Sequence, residues 1–288
     1  MPSVYPDFYP RFHCRAERCR HSCCRGWEID VDEASAAYYR ALPGPLGDAL
    51  RAALTEDGEG FHFRLDQEER CPFLRRDGLC RLICELGEEA LCEICALHPR
   101  FFGALGDWEF AGLGLSCEAV SALLLETDTP LRFVTEEESL DLAGLLSRLG
   151  HSCPAEALRF APRPDRARYA QLLSALARTE PIDAVWPEEI AALRSEPDAV
   201  LAAARRYEAL YDRGRFDRIF AYILYRQLER LEETPLAALL AFARDSTEYV
   251  FLRAAWGDDP AEALRRWSEQ IEYSTENVEL LLDSFAKR

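Results

Sequence analysis

Eleven cysteines in 288 residues would be unremarked if scattered, but ten of them lie between Cys14 and Cys117. The first four come almost together, as Cys14, Cys19, Cys23 and Cys24, and Cys71, Cys80, Cys84, Cys92, Cys95 and Cys117 follow. Only Cys153 stands outside. Thiols at this density either cross-link a chain or hold a metal. The opening MPSVYPDFYPRFHC lacks a positively charged stretch followed by an apolar run, so no secretory signal is expected. No stretch reaches the ~18 apolar residues of a membrane helix, and no membrane insertion is expected. A cytoplasmic chain lives among reductants, where clustered cysteines bind metal more often than they pair. Four thiolates suffice for zinc or for a four-iron (4Fe-4S) iron–sulfur cluster. The spacings match neither a zinc ribbon nor a radical-enzyme CxxxCxxC loop, because Cys24 directly follows Cys23. Cys19 and Cys23, four apart, share a face if their segment is helical.

Other chemistries lack their signatures. There is no phosphate-cradling glycine motif and no Ser/His/Asp hydrolase signature. A net charge of −17 argues against a nucleic-acid partner. It suits a basic, lysine-bearing one. Lysine itself is nearly absent, with Lys287 alone beside 33 arginines.

The elements that must position the thiols follow from local pattern. Asp32 is an N-cap for a helix over Glu33–Leu42, which Pro43-Gly44-Pro45 ends. Leu46–Thr55 reads as a second helix and Phe61–Leu65 alternates as a strand. Turn signals at Cys71-Pro72 and Asp77-Gly78 make Cys71 and Cys80 the ends of a tight loop. Cys80–Leu86 and Glu88–Ala96 read as helical segments split by Gly87. Phe102–Leu113, broken at Gly106-Asp107, reads as a hairpin. Ser116 is placed as the cap of a helix carrying Cys117. From about Pro130 cysteine nearly vanishes and helical periodicity takes over. Phe216, Ile219, Phe220, Ile223, Gln227, Leu228 and Leu231 mark a helix burying one face. Glu196–Tyr211, Leu236–Trp256 and Ala261–Tyr273 are similar, and Ser274 or Thr275 caps a last helix through Phe285. The expected fold is mainly α. An irregular cysteine-rich, metal-binding domain with a small β-hairpin occupies residues 1–128, and a helical bundle occupies residues 129–288.

Four blocks carry a family resemblance. They are Tyr9-x2-Phe12-x-Cys14-x4-Cys19-x3-Cys23-Cys24-x-Gly26-Trp27, then Cys71-Pro72-Phe73-Leu74-x2-Asp77-Gly78-x-Cys80-Arg81-Leu82 with Gly87-Glu88, then Cys95-x2-His98-Pro99-Arg100-Phe101, and Leu115-Ser116-Cys117. In this order they resemble the flagellin lysine-N-methylase family, whose first part belongs to a wider group of cysteine-rich, zinc- or iron-chelating domains. The tract Trp267–Leu282, with Glu272, Ser274 and Asn277, is similar to the family's closing segment, although Tyr273 stands where the family has His.

The resemblance implies a cytoplasmic methyltransferase. It would methylate lysine side chains of flagellin, or of another lysine-bearing surface protein, with S-adenosylmethionine as donor and an iron–sulfur cluster or zinc held by cysteines. The family-matching cysteines are Cys14, Cys19, Cys23, Cys24, Cys71, Cys80, Cys95 and Cys117; Cys84, Cys92 and Cys153 match nothing in it. The alternative is a non-catalytic zinc/iron-chelating or redox module with a helical protein-interaction domain. A lysine amine, with an ordinary pKa near ~10.4, must lose its proton before attacking a methyl group. Tyr207, Tyr211, Tyr222, Tyr225 and Glu272 are the candidates to line a slot that favours the neutral amine.

Overall fold

The computed structural model describes residues 2–58 and 60–286. Thirteen α-helices and short strands among these residues make the protein mainly α, as its periodicity predicts. The chain forms two compact units. One is the continuous segment His13–Phe101, and the other joins Met1–Phe12 to Phe102–Arg288. These bounds differ from the composition boundary at residues 128 and 129. Cysteine density is a property of sequence, whereas the hairpin and helix of residues 102–124 pack with the later helices.

In the unit His13–Phe101, Asp32 caps the helix Glu33–Ala41, accepting from the Ser35 amide at 2.9 Å. Its second carboxylate oxygen accepts from the Glu93 amide at 2.9 Å, tying the start of one helix to the start of another. The next helix runs Gly44–Ala53, two residues earlier at each end than its pattern predicts. Gly47 is required there, since a Cβ would fall 1.8 Å from the Leu42 carbonyl oxygen. Leu54–Glu56 turns extended because Phe61–Phe63 offers it an antiparallel partner. With Ile29–Val31 on the other side of Phe61–Phe63, this makes a three-stranded antiparallel sheet. Tyr39, Leu50, Phe63, Phe73 and Leu82 fill the core beneath it.

The other unit holds a five-stranded sheet in the order Arg100–Leu105, Trp108–Leu113, Ser3–Pro6, Phe133–Val134, Ser139–Leu140. The expected hairpin is its first pair, turning at Gly106 with φ +55°. The helix Arg213–Tyr225 departs from the one-face expectation. Every residue from Arg218 to Tyr225 is buried, so this is a central helix covered all round. The phenol of Tyr225 bonds the carbonyls of Val4 and Ala111, each at 2.8 Å, and so ties this helix to two neighbouring strands. Arg218, also buried, donates to the carbonyls of Leu124 and Thr129 and faces Asp7 at 3.4 Å. The helices Pro197–Glu208, Leu236–Trp256, Pro260–Ile271 and Thr275–Ala286 lie close to their predicted spans, and Leu142–Arg148, Arg166–Leu176 and Val185–Ser195 are further helices of the same unit. Ser274 supplies the last cap, its hydroxyl accepting from the Asn277 amide at 3.1 Å. No helix among the described residues is long and apolar enough to cross a membrane.

Candidate functional site

Two short backbone pairings bring the cysteine blocks together. Gly26 donates to the Glu69 carbonyl and Cys71 to the Cys24 carbonyl, both at 2.8 Å, so Cys24 and Cys71 lie across from one another. From Cys71 the chain enters a tight knuckle. Leu74 donates to Cys71, Arg75 to Leu79 and Arg81 to Phe73, and Leu74 bridges Cys80. The turn depends on Gly78, with φ +83° and the Glu17 backbone 3.1 Å from where a Cβ would sit. The first cysteine block thus folds against the knuckle, as Cys71 and Cys80 bracketing a loop requires. Cys80 is the residue before the helix Arg81–Leu86, and Gly87, at φ +94°, ends it. After a single 3-10 turn at Glu88–Ala90, Cys92 immediately precedes the helix Glu93–Leu97 that carries Cys95.

None of the eleven cysteines is in a disulfide. Cys71 and Cys92 are buried in the Tyr39–Phe63–Phe73 core, and Cys24, Cys80 and Cys95 pack against it. The Cys23 thiol donates to Cys24 and draws the Cys24 pKa down to about 7, against the opposing effect of burial. Burial pushes the Cys71 thiol up to about 12, with the charges of Cys24 and Cys80 acting in the same direction. Burial also raises Cys80. The Cys95 thiol donates to Cys92, which lowers Cys92 and raises Cys95, and Cys24 and Cys71 raise Cys95 further. These thiols feel one another's charge. A cation among them would reverse the sign of that effect and deprotonate them.

Of the expected ligands, Cys23, Cys24, Cys71, Cys80 and Cys95 are brought to one neighbourhood. Cys14 is exposed, its sulfur accepting from the Ala16 amide at 3.3 Å, and Cys19 is half-buried. The helix that would set Cys19 and Cys23 on one face is absent. A single 3-10 turn at Ala16–Arg18 ends at Cys19 in an extended conformation. Cys117 lies in the other unit, where it directly precedes the helix Glu118–Leu124 and takes the N-cap position assigned to Ser116. Cys92, which no family block contains, sits with the inner thiols, and the C-x2-C spacing before a short helix was its only signal in the sequence. Among the described residues no three or more His, Cys, Asp or Glu side chains already converge as a metal site. The thiols are free and several are partly desolvated, and a thiolate is a soft donor. His98, in the Cys95–Phe101 block, keeps a buried Nε2 with no hydrogen-bond partner.

In the second unit the closing tract meets the Leu115-Ser116-Cys117 block. Ser116 donates to the Tyr273 phenol, and Cys117 contributes to raising its pKa, which burial raises most. Beside Tyr273, Glu272 is almost fully buried and ion-paired to Arg226 at 2.6 Å, with the Ser268 hydroxyl donating at 2.5 Å. The aromatic candidates are differently occupied. Tyr222 is spent on the Leu113 backbone at 2.7 Å and Tyr225 on two strands, both fully buried. Tyr207 and Tyr211 pack edge-on or tilted against Phe216 and Phe251 at centroid distances of 5.2–6.3 Å, which leaves no slot among them.

No family model matches the chain, and no solved structure matches it. Curated relatives do. The chain is 29% identical over 126 residues to a protein of Salmonella typhimurium named "Lysine-N-methylase", covering 42% of this chain and 31% of that protein. The lysine-N-methylase of Salmonella choleraesuis gives 28% over the same length. The "Flagellar biosynthetic protein FliU" of Salmonella muenchen is 28% identical over 153 residues, 50% of this chain and 88% of that protein. The match therefore spans about a third of the length of the two lysine-N-methylases. Over the aligned stretch the chain is a homologue of the flagellin lysine-N-methylase family, as its ordered cysteine blocks imply.

Proposed function

We propose that this protein is a cytoplasmic, S-adenosylmethionine-dependent protein lysine methyltransferase whose substrate is flagellin or another lysine-bearing surface protein. The observation that carries this reading is the homology to proteins named for lysine N-methylation and flagellar biosynthesis. The ordered cysteine blocks and the closing tract support it. The net charge of −17 favours encounter with a lysine-rich partner, at a rate that falls as salt rises.

The metal of this reading is an iron–sulfur cluster or zinc. The resemblance implies Cys14, Cys19, Cys23, Cys24, Cys71, Cys80, Cys95 and Cys117 as its ligands, of which Cys23, Cys24, Cys71, Cys80 and Cys95 share one neighbourhood in the fold. When bound, such a centre supplies a thiolate-held Lewis acid or an electron carrier. The chain's own contribution at the amine is to favour the neutral form. Tyr222, Tyr225 and Glu272 are already committed to internal bonds and are buried, which removes them from the candidates to line a slot for the amine. Tyr273, 43% exposed and hydrogen-bonded by Ser116, is the tyrosine of the closing tract, and it reaches the surface.

A second reading, a zinc- or iron-chelating or redox module, is favoured by one observation. The segment His13–Phe101 forms a compact unit with its own core. Methyl transfer to flagellin, followed by mass spectrometry with anaerobically prepared protein, separates the two. Methylated lysines support the enzyme. An intact metal centre without lysine methylation supports the module.

A further inference from the structure

The five-stranded sheet ends on the strand Arg100–Leu105, which has one strand neighbour, Trp108–Leu113. Gly106-Asp107 alone joins the two, with Gly106 at φ +55° in the first place of a two-residue hairpin turn. Leu105 and Trp108 therefore close the turn. The alternation of an antiparallel ladder then aims the N–H and C=O of Phe102 and Ala104 away from the sheet. Neither residue makes a backbone bond outside the sheet among the described residues. Both are exposed, Phe102 at 60%. An open apolar edge is a template for another strand, and lysine or proline commonly blunts it. This strand, Arg-Phe-Phe-Gly-Ala-Leu, carries neither. Its flanks are acidic. A Cβ on Gly103 would fall 2.4 Å from a Glu229 carboxylate oxygen, so that carboxylate lies over the bare backbone of the strand. Glu109, which the turn sets opposite Ala104, and Asp107 in the turn itself are exposed, as is Glu229. None of the three carboxylates has an ion-pair partner among the described residues. The residues Phe102–Glu109 and Glu229 belong to one unit.

We propose that the open edge at Phe102–Leu105 docks an extended, lysine-bearing segment of the protein substrate, which joins the sheet as an added strand. The proposal rests on the methyltransferase reading for the identity of the partner and adds the way that partner is held. Backbone bonds to Phe102 and Ala104 supply the attachment, and the Phe102 ring supplies an apolar contact. An added strand lies about 4.8 Å from its neighbour and sends side chains alternately to the two faces of the sheet. Lysines on one face meet Glu229 and lysines on the other meet Glu109, and opposite charges side by side on a sheet attract. A second copy of this chain fits the edge less well. Pairing through Gly103 would bring two Glu229 carboxylates together, and the chain has a single lysine, Lys287, to answer them.

The test uses the full chain and a labelled, end-capped peptide probe of alternating lysine and valine, with binding followed by fluorescence anisotropy at fixed salt. A second probe is N-methylated at every backbone nitrogen, so it keeps its charge and cannot pair as a strand. Wild type should bind the first probe and should slow amide exchange at Phe102 and Ala104. Binding should be weaker by about tenfold or more for the N-methylated probe and for Ala104→Pro, which removes an outward N–H and spares the bonds to Trp108–Leu113. Glu229→Gln should weaken it about two- to fivefold, the effect of one exposed ion pair. No binding by wild type, equal binding of the two probes, or exchange protection confined to other segments overturns the proposal. So does Ala104→Pro binding at the wild-type level. Dimerisation of the chain that Ala104→Pro abolishes, in place of probe binding, gives the edge to a second copy and also overturns it. If Ala104→Pro does not fold, the N-methylated probe and amide exchange on wild type decide. Probe bound at this edge without methylation of any lysine counts against the methyltransferase reading and supports the docking edge.

Discussion

The amide of Cys71 donates to the carbonyl of Cys24 at 2.8 Å. Two cysteines from separate sequence blocks are thereby placed across from each other by the backbone alone. The pairing continues at Gly26 and Glu69, so the ladder rather than the thiols sets the spacing.

Metal loss should follow position in this framework. Cys23→Ser, Cys24→Ser, Cys80→Ser and Cys95→Ser should each lower bound iron or zinc and destabilise the cysteine unit, because ligand loss removes folding free energy. Cys153→Ser should do neither. Elemental analysis with thermal unfolding checks this. Metal loss in Cys153→Ser equal to that in Cys24→Ser would contradict it.

Arg226 and Glu272 form a largely buried pair at 2.6 Å. Removing one partner strands a buried charge, so Glu272→Leu should cost about 3–5 kcal/mol. Replacing both with Leu should cost much less. Equal losses in the single and double variants, measured by denaturant unfolding, would rule out a coupled pair.

Glu248 is fully buried and accepts from the Arg163 amide at 3.2 and 3.3 Å and from the Tyr169 hydroxyl at 3.2 Å. Burial pushes its pKa up to about 7, only partly offset by those bonds and by Arg168. The folded state therefore holds a proton that the unfolded state releases nearer ~4.5. The resulting stability is fully present below the ordinary carboxylate range and is lost as pH rises through about 7. Relative to Glu248→Gln, wild type should lose about 2–3 kcal/mol between pH 5 and pH 8. Parallel pH profiles for the two proteins would contradict this.

Tyr39 lies in the core of the cysteine unit and bonds the Ala90 carbonyl at 2.7 Å. Tyr39→Phe should cost about 1 kcal/mol, with metal content unchanged, because the phenol positions the chain before Cys92 without being a ligand. A loss of metal in this variant would place the phenol at the centre itself.

Features written in local chemistry were legible in the sequence. Asp32 caps its helix, Gly87 ends another, and Cys71 and Cys80 bracket a turn because each depends on residues a few positions away. Features that depend on distant partners were not. Leu54–Glu56 is a strand only because Phe61–Phe63 lies beside it. The Arg213–Tyr225 helix looked one-sided from the i, i+3, i+4 spacing of Phe216, Ile219, Phe220 and Ile223, yet Tyr222 and Tyr225, off that stripe, are buried against strand backbone. The candidate site divides in the same way. Spacing identified the thiol blocks, but only the fold set Cys92 beside Cys95 at the same core as Cys24 and Cys71, and only the fold committed Glu272 to Arg226.

Mass spectrometry of flagellin after incubation with S-adenosylmethionine and the anaerobically prepared protein tests the central claim most directly. Metal-loaded wild type should add 14 Da increments (about one methylene each) to flagellin lysines. Metal-stripped protein should add none, and reconstitution should restore the reaction. Unmodified flagellin and other lysine-bearing surface proteins, with the centre intact and donor present, would contradict the account.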